Sequence, residues 1–156
     1  MALEIERKFL VDMKKLPFLP AGETIRQGYI CAESGRTVRV RIYGDEAFLT
    51  LKGKTVGVSR SEFEYSIPIA DAQQLLSELC LGPKIDKVRH RIPHGQHLWE
   101  LDIFSGDNQG LVVAEVELAH EHEAVELPEW ITQEVTGQKR YYNSSLLDNP
   151  FQRWQD

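Results

Sequence analysis

Glu4-Ile5-Glu6-Arg7-Lys8 puts two carboxylates and an ammonium at alternate positions. In an extended strand alternate side chains share a face, so Glu4, Glu6 and Lys8 point one way. Leu3, Ile5, Phe9 and Val11 point the other way, with Arg7 among them. The same spacing recurs down the chain. Bases alternate at Arg39 and Arg41 and at Lys87, Arg89 and Arg91; acids alternate at Glu62 and Glu64, at Glu100 and Asp102, and at Glu115 and Glu117. Lys52 adds a further base. Alternation alone is ordinary, because antiparallel sheets commonly have one apolar and one wet face. These polar faces are almost purely ionic, with acids gathered on some strands and bases on others. If the sheet closes with them inward, the lumen must be wet, since unpaired buried charges are too costly. Clustered Lys and Arg suit a polyanion, and Arg offers forked donors to phosphate oxygens. Clustered carboxylates suit a hard divalent cation such as Mg²⁺ or Mn²⁺. Together they point to a metal-chelated polyphosphate.

Positioning these groups takes about eight strands. Period-two patterning predicts strands at Leu3–Val11, Thr24–Ala32, Thr37–Tyr43, Ala47–Gly53, Arg60–Ile67, Ile85–Ile92, Leu98–Phe104 and Leu111–Leu118. On the second strand Gln27, Tyr29 and Cys31 share a face by parity. One helix is expected between the fifth and sixth strands, capped by Asp71, with Leu75, Leu76 and Leu79 as its apolar stripe and Gly82-Pro83 as its stop. Pro93-His94-Gly95-Gln96 reads as a hairpin turn. The tail reads as a short helix around Asn143 to Leu147. Eight antiparallel strands are the number that closes into a small barrel. The expected fold is therefore mostly β within an α+β class, an eight-stranded antiparallel closed tunnel over one domain, 1–156.

Composition narrows the function. The chain has 156 residues, 42% of them hydrophobic, and a net charge of −6. Its pI is about 5.4, which argues against a nucleic-acid partner. Cys31 and Cys80 lie far apart with no paired motif, which reads as reduced thiols in a cytoplasmic protein. Met1-Ala2-Leu3 runs straight into Glu4, so no signal peptide is expected, and no apolar run approaches a membrane span. Gly53-Lys54-Thr55 looks like the end of a P-loop, but the motif needs glycine where Phe48 stands. His90, His94, His97, His120 and His122 read as surface residues rather than a zinc site. Trp99, Trp130 and Trp154 read as packing residues.

The ordered set of strands resembles the CYTH superfamily, the triphosphate tunnel metalloenzymes. Glu4-Ile5-Glu6-Arg7-Lys8 matches its E-x-E-x-K signature. Gln27-Gly28-Tyr29, Arg39-Val40-Arg41, Leu49-Thr50-Leu51-Lys52, Glu62-Phe63-Glu64, Lys87-Val88-Arg89, Glu100-Leu101-Asp102-Ile103-Phe104 and Glu115-Val116-Glu117 look like its strands in order. Trp130, Glu134-Val135-Thr136 and Tyr141 resemble the small bacterial members, which are similar to inorganic triphosphatases. The resemblance implies that Lys8, Arg39, Arg41, Lys52, Lys87 and Arg89 bind phosphates. It implies that Glu4, Glu6, Glu115 and Glu117 hold Mg²⁺ or Mn²⁺, with Glu62, Glu64 and Asp102 as further ligands or water-orienters. Lys8, Tyr29 and Lys87 join those three in the catalytic set, Tyr29 standing where small bacterial members carry a tunnel-facing Tyr. Metal-dependent hydrolysis of inorganic triphosphate is the expected activity, with nucleoside triphosphates as poorer substrates. An adenylate cyclase or thiamine triphosphatase of the same superfamily, or a non-catalytic polyphosphate-binding module, stays open, as does a homodimer. No membrane partner is expected.

Overall fold

The structure, a computed structural model, describes residues 3–155. Its elements in chain order are β1 (Leu3–Val11), β2 (Gly22–Glu33), β3 (Arg36–Tyr43), β4 (Glu46–Gly53), β5 (Ser59–Ile67), α1 (Ile69–Glu78), β6 (Ile85–His94), β7 (His97–Phe104), β8 (Val112–Glu117) and β9 (Ile131–Glu134). The sheet runs β5-β4-β3-β2-β6-β7-β8-β1, and a ladder between β1 and β5 closes it into an eight-stranded antiparallel barrel. The expected tunnel is present. Along β1, Leu3 to Ile5 pair with β5, Glu6 to Leu10 pair with β8, and Phe9 and Val11 pair with β9. The short β9 was not anticipated. It is pinned by the Val135 amide donating to the Lys8 carbonyl at 2.8 Å and by Arg7, which grips Glu134 through two hydrogen bonds of 2.9 and 2.8 Å.

Because the ionic faces point inward, the apolar faces point outward and must be covered there. Three separate clusters do this. Phe9, Trp99, Leu101, Val116 and Trp130 pack over β1, β7 and β8. Val40 and Ala47 pack under Ala72 and Leu76 of α1. Ile85, Phe104, Leu111 and Val113 pack under Leu146 of the tail, with Tyr141, Phe151 and Trp154 beside them. Gly28 permits the helix to sit close: a Cβ there would meet Cys80 Cβ at 2.9 Å and Leu76 Cδ2 at 3.0 Å. The cover is incomplete on β4 and β5, where Leu51, Phe63 and Tyr65 are exposed.

Several local expectations are corrected. Pro68, not Asp71, occupies the helix N-cap; Asp71 lies in the first turn, where its charge suits the helix dipole. The helix ends at Glu78 and its buried face runs through Ala72, Leu76 and on to Cys80, so Leu79 is exposed; Gly82 comes three residues past the Leu79 cap. Pro93 belongs to the ladder, paired with Leu98, which narrows the hairpin turn to Gly95-Gln96. The short helix expected around Asn143 to Leu147 is present as a 3-10 helix at Ser145–Leu147, with two further 3-10 helices at Lys139–Tyr141 and Phe151–Arg153. A bulge between Tyr29 and Cys31 breaks the parity of β2. Cys31 consequently lies off the tunnel wall, its thiol toward the Arg36 carbonyl.

Candidate active site

The barrel encloses a cavity of about 400 Å³. Strand parity brings Glu4, Glu6 and Lys8 into it from β1, Tyr29 from β2, Arg39 and Arg41 from β3, and Lys52 from β4. Glu62 and Glu64 enter from β5, Lys87 and Arg89 from β6, and Glu115 and Glu117 from β8. Nine carboxylates and eight Lys or Arg side chains line the space, so the wall itself is close to neutral and cannot balance a polyanion without added cations.

Asp102 is the predicted site residue that does not line the cavity. It is fully buried behind the wall. Its carboxylate accepts from Arg89 Nε at 2.7 Å and Nη2 at 2.9 Å, and lies 2.7 Å from Lys87 Nζ. Burial alone would raise its pKa, but Arg89 and Lys87 hold it down to about 2. With both oxygens engaged by cations, Asp102 is a support for Lys87 and Arg89 rather than a free ligand.

The basic wall is under-compensated. Arg41 has no carboxylate partner among the described residues; its Nε donates to Gln27 Oε1 at 2.7 Å. Burial, then Arg39 and Arg89, push the Arg41 guanidinium down to about 9. Arg39 reaches Thr50 at 3.2 Å and Glu64 at 3.6 Å, yet its buried Nε has no partner among the described residues. Lys87 is pushed down to about 7, burial and the neighbouring Arg89 and Arg41 outweighing Asp102. A buried donor without an acceptor costs free energy that an incoming anion can recover.

The acidic wall is crowded in the opposite sense. Glu6 pairs across the ladder with Glu117, and Lys8 with Glu115. Burial, then Glu115 and Glu4, hold the Glu6 carboxyl well above the usual range. Burial, then Glu4, raises Glu62; burial, then Glu4 and Glu100, raises Glu117 at the rim. Glu115 is held well below, because Lys8 and Arg89 overcome its burial. Burial opposes ionisation of Glu4, but Lys52 lowers it, bridging both of its oxygens at 3.1 Å and also standing 3.4 Å from Glu62.

A family model for the CYTH domain matches residues 2–148. The chain belongs to the CYTH family. This CYTH chain is 43% identical to an inorganic triphosphatase of Acetivibrio thermocellus over 156 residues, covering 100% of both chains. It is 38% identical to an inorganic triphosphatase of Nitrosomonas europaea, covering 92% of this chain and 95% of the relative. A solved crystal structure of an inorganic triphosphatase superposes with a TM-score of 0.66 at 34% identity, covering 94% of this chain and 95% of that one.

In this CYTH barrel the acidic wall fits a divalent cation by its chemistry: hard oxygen donors from Glu4, Glu6, Glu115 and Glu117 whose mutual repulsion a cation relieves. Among the described residues no three His, Cys, Asp or Glu side chains converge to hold an ion by themselves. The histidines stay outside the site, His94 and His97 pairing with Glu126 and Glu123. Tyr29 is the acceptor for a hydrogen bond from Gln27 at 3.3 Å, while Lys8 faces Glu115 at 3.8 Å, the Tyr141 carbonyl at 3.3 Å and the Tyr142 ring.

Several lining residues were given no site role from the sequence, although Glu100 stands in its acidic set. Glu100 bridges Arg89 at 3.4 Å and Arg91 at 3.9 Å. Arg60 lines the space from β5, and Thr136, Tyr142 and Asn143 close in from the tail. Parity on β5 would have found Arg60. Nothing in the sequence pattern points from the tail to the tunnel.

Proposed function

We propose that this protein hydrolyses inorganic triphosphate to pyrophosphate and phosphate with a bound divalent cation, Mg²⁺ or Mn²⁺. The observation that carries the reading is the pairing of two unsatisfied walls in one cavity. Among the described residues Arg41 has no carboxylate partner and Arg39 Nε has no hydrogen-bond partner, while Glu6 is crowded by Glu115 and Glu4. A polyanion satisfies the first wall and a cation the second. The relatives named as inorganic triphosphatases support the choice of substrate. So does the lining, whose few aromatic or apolar side chains offer little to a nucleoside. Free thiols at Cys31 and Cys80 support a cytoplasmic setting, and among the described residues no helix is long and apolar enough to cross a membrane.

In this reading Arg39, Arg41, Lys52, Lys87, Arg89 and Lys8 grip the phosphate oxygens and hold the chain for in-line attack. Glu4, Glu6, Glu115 and Glu117 would hold the cation, which when bound neutralises charge on the transferring phosphoryl group. Glu62 and Glu64, with side chains 25% and 41% exposed, reach water and orient it toward the terminal phosphorus. Asp102 keeps Lys87 and Arg89 in place from behind. Tyr29 faces the substrate with its hydroxyl.

A substrate panel tests this. Phosphate release from triphosphate, pyrophosphate, long polyphosphate, ATP and thiamine triphosphate is measured with and without Mg²⁺ or Mn²⁺. Triphosphate is expected to turn over fastest, and chelating the metal is expected to abolish release. Cyclic AMP from ATP, or faster hydrolysis of thiamine triphosphate, would replace the reading with another enzyme. Binding without phosphate release from any substrate would leave a polyphosphate-binding module.

A further inference from the structure

Gln27 is fully buried on β2 beside the cavity wall. Arg41 Nε donates to its Oε1 at 2.7 Å. That bond commits the amide oxygen, so the amide nitrogen must donate. Nε2 donates to Tyr29 Oη at 3.3 Å and to Asn143 Oδ1 at 3.2 Å. Asn143 Oδ1 also accepts from Lys87 Nζ at 3.0 Å. One chain of hydrogen bonds therefore runs from Arg41 through two neutral amides to Lys87, with Tyr29 as a branch.

We propose that Gln27 and Asn143 are positioning residues that aim Arg41, Tyr29 and Lys87 at the substrate. The proposal rests on the triphosphatase reading above. The donor inventory gives it content. With Arg41 Nε held by Gln27, the orientation of the guanidinium is set and its Nη groups are the donors left for phosphate. With Tyr29 Oη accepting from Gln27, the phenolic hydrogen is free to be given to a phosphate oxygen. As an ammonium, Lys87 has three N–H donors; Asp102 and Asn143 hold two, which fixes the direction of the third. At position 143 only the acceptor oxygen is used, whereas at position 27 both the acceptor and the donors are used. Asn143 brings the tail into the site, so the tail does more than cover the outer apolar face.

The test uses the full chain with tripolyphosphate and Mg²⁺, reading kcat, KM and the melting temperature. Aimed donors matter most where charge grows in the transition state. Asn143→Leu should therefore lower kcat by about tenfold or more while KM changes less than about threefold. Its melting temperature should stay near wild type, since Asn143 is only partly buried. Asn143→Asp keeps an acceptor for both Lys87 and Gln27 and should recover most of the lost kcat. Gln27→Glu keeps the acceptor for Arg41 but loses both donors, and should fall with Gln27→Leu. The double variant Gln27→Leu/Asn143→Leu should cost no more than the worse single, because the relay acts as a unit. The relay is overturned if Asn143→Leu keeps wild-type kcat, if the Leu and Asp variants at 143 are equally impaired, or if the two losses multiply. Should the Gln27 variants fail to fold, the pair at 143 decides. An active wild type with a silent Asn143→Leu removes the relay alone; a wild type that releases no phosphate removes the triphosphatase reading and the relay together.

Discussion

Glu6→Gln will lose turnover by about two to three orders of magnitude and yet melt no lower than the wild type. The loss follows from removing one hard oxygen ligand, since metal charge neutralisation is worth several kcal/mol and each 1.36 kcal/mol is tenfold in rate. The retained stability follows from the crowding of the acidic wall. Burial, Glu115 and Glu4 hold the Glu6 carboxyl well above its usual range in the folded protein. A raised carboxyl binds its proton more tightly folded than unfolded. Its contribution therefore favours the fold at low pH and declines as pH rises from about 4.3 through the folded value. Glutamine mimics the protonated form and removes that decline. Urea melts of metal-free protein across pH 4.5 to 7.5 (about the range in which an unfolded Glu ionises and beyond) check it. A variant that is fully active, or one much less stable than wild type at pH 7, would remove Glu6 from the acidic wall.

Asp102→Ala will lower the unfolding free energy by about 3–5 kcal/mol, the usual cost of removing one member of a buried ion group. Asp102 lies 2.7 Å from Lys87 Nζ and 2.7 Å from Arg89 Nε, and all three side chains are buried. Without the carboxylate, two neighbouring cations face each other with Arg41 nearby. Lys87 already loses its proton near neutrality, at about 7, and would lose it at still lower pH without Asp102. Because Asp102 sits at about 2 when folded against about 3.9 when unfolded, its stabilisation is present above the unfolded value and fades as pH falls toward the folded one. Equilibrium urea unfolding at pH 7 measures the difference. A change below about 1 kcal/mol would mean that the triad is loose and solvated.

Much of this site was legible because strand parity is a strict rule. Arg39 with Arg41, Lys87 with Arg89, and Glu115 with Glu117 need only a period of two to reach one wall. The same rule failed at Cys31, where a bulge inserts a residue into β2. It could not say that Asp102 is caught between Lys87 and Arg89 rather than facing the cavity, because that depends on the β6–β7 register. Gln27 carries no charge, so a search for ionic faces passes over it, although it stood in the quoted Gln27-Gly28-Tyr29 stretch. Asn143 and Tyr142 come from a tail without periodicity, and tertiary packing alone places them. The helix boundaries missed for a similar reason. Leu79 fits a stripe by spacing, but the buried face runs through Ala72, Leu76 and Cys80 and leaves Leu79 exposed.

The central claim is that two oppositely charged walls face one cavity and are satisfied together. A thermal melt with saturating triphosphate and a divalent cation tests it most directly, with Ca²⁺ replacing Mg²⁺ to suppress turnover. At about 100 times Kd, linkage gives roughly 2.7 kcal/mol. For a chain of this size that is a rise of about 5–11 °C. Cation alone or triphosphate alone should give less than the pair, and Arg39→Ala with Lys87→Ala should lose most of the triphosphate-dependent rise. A melting temperature unmoved by saturating cation and triphosphate would contradict the account.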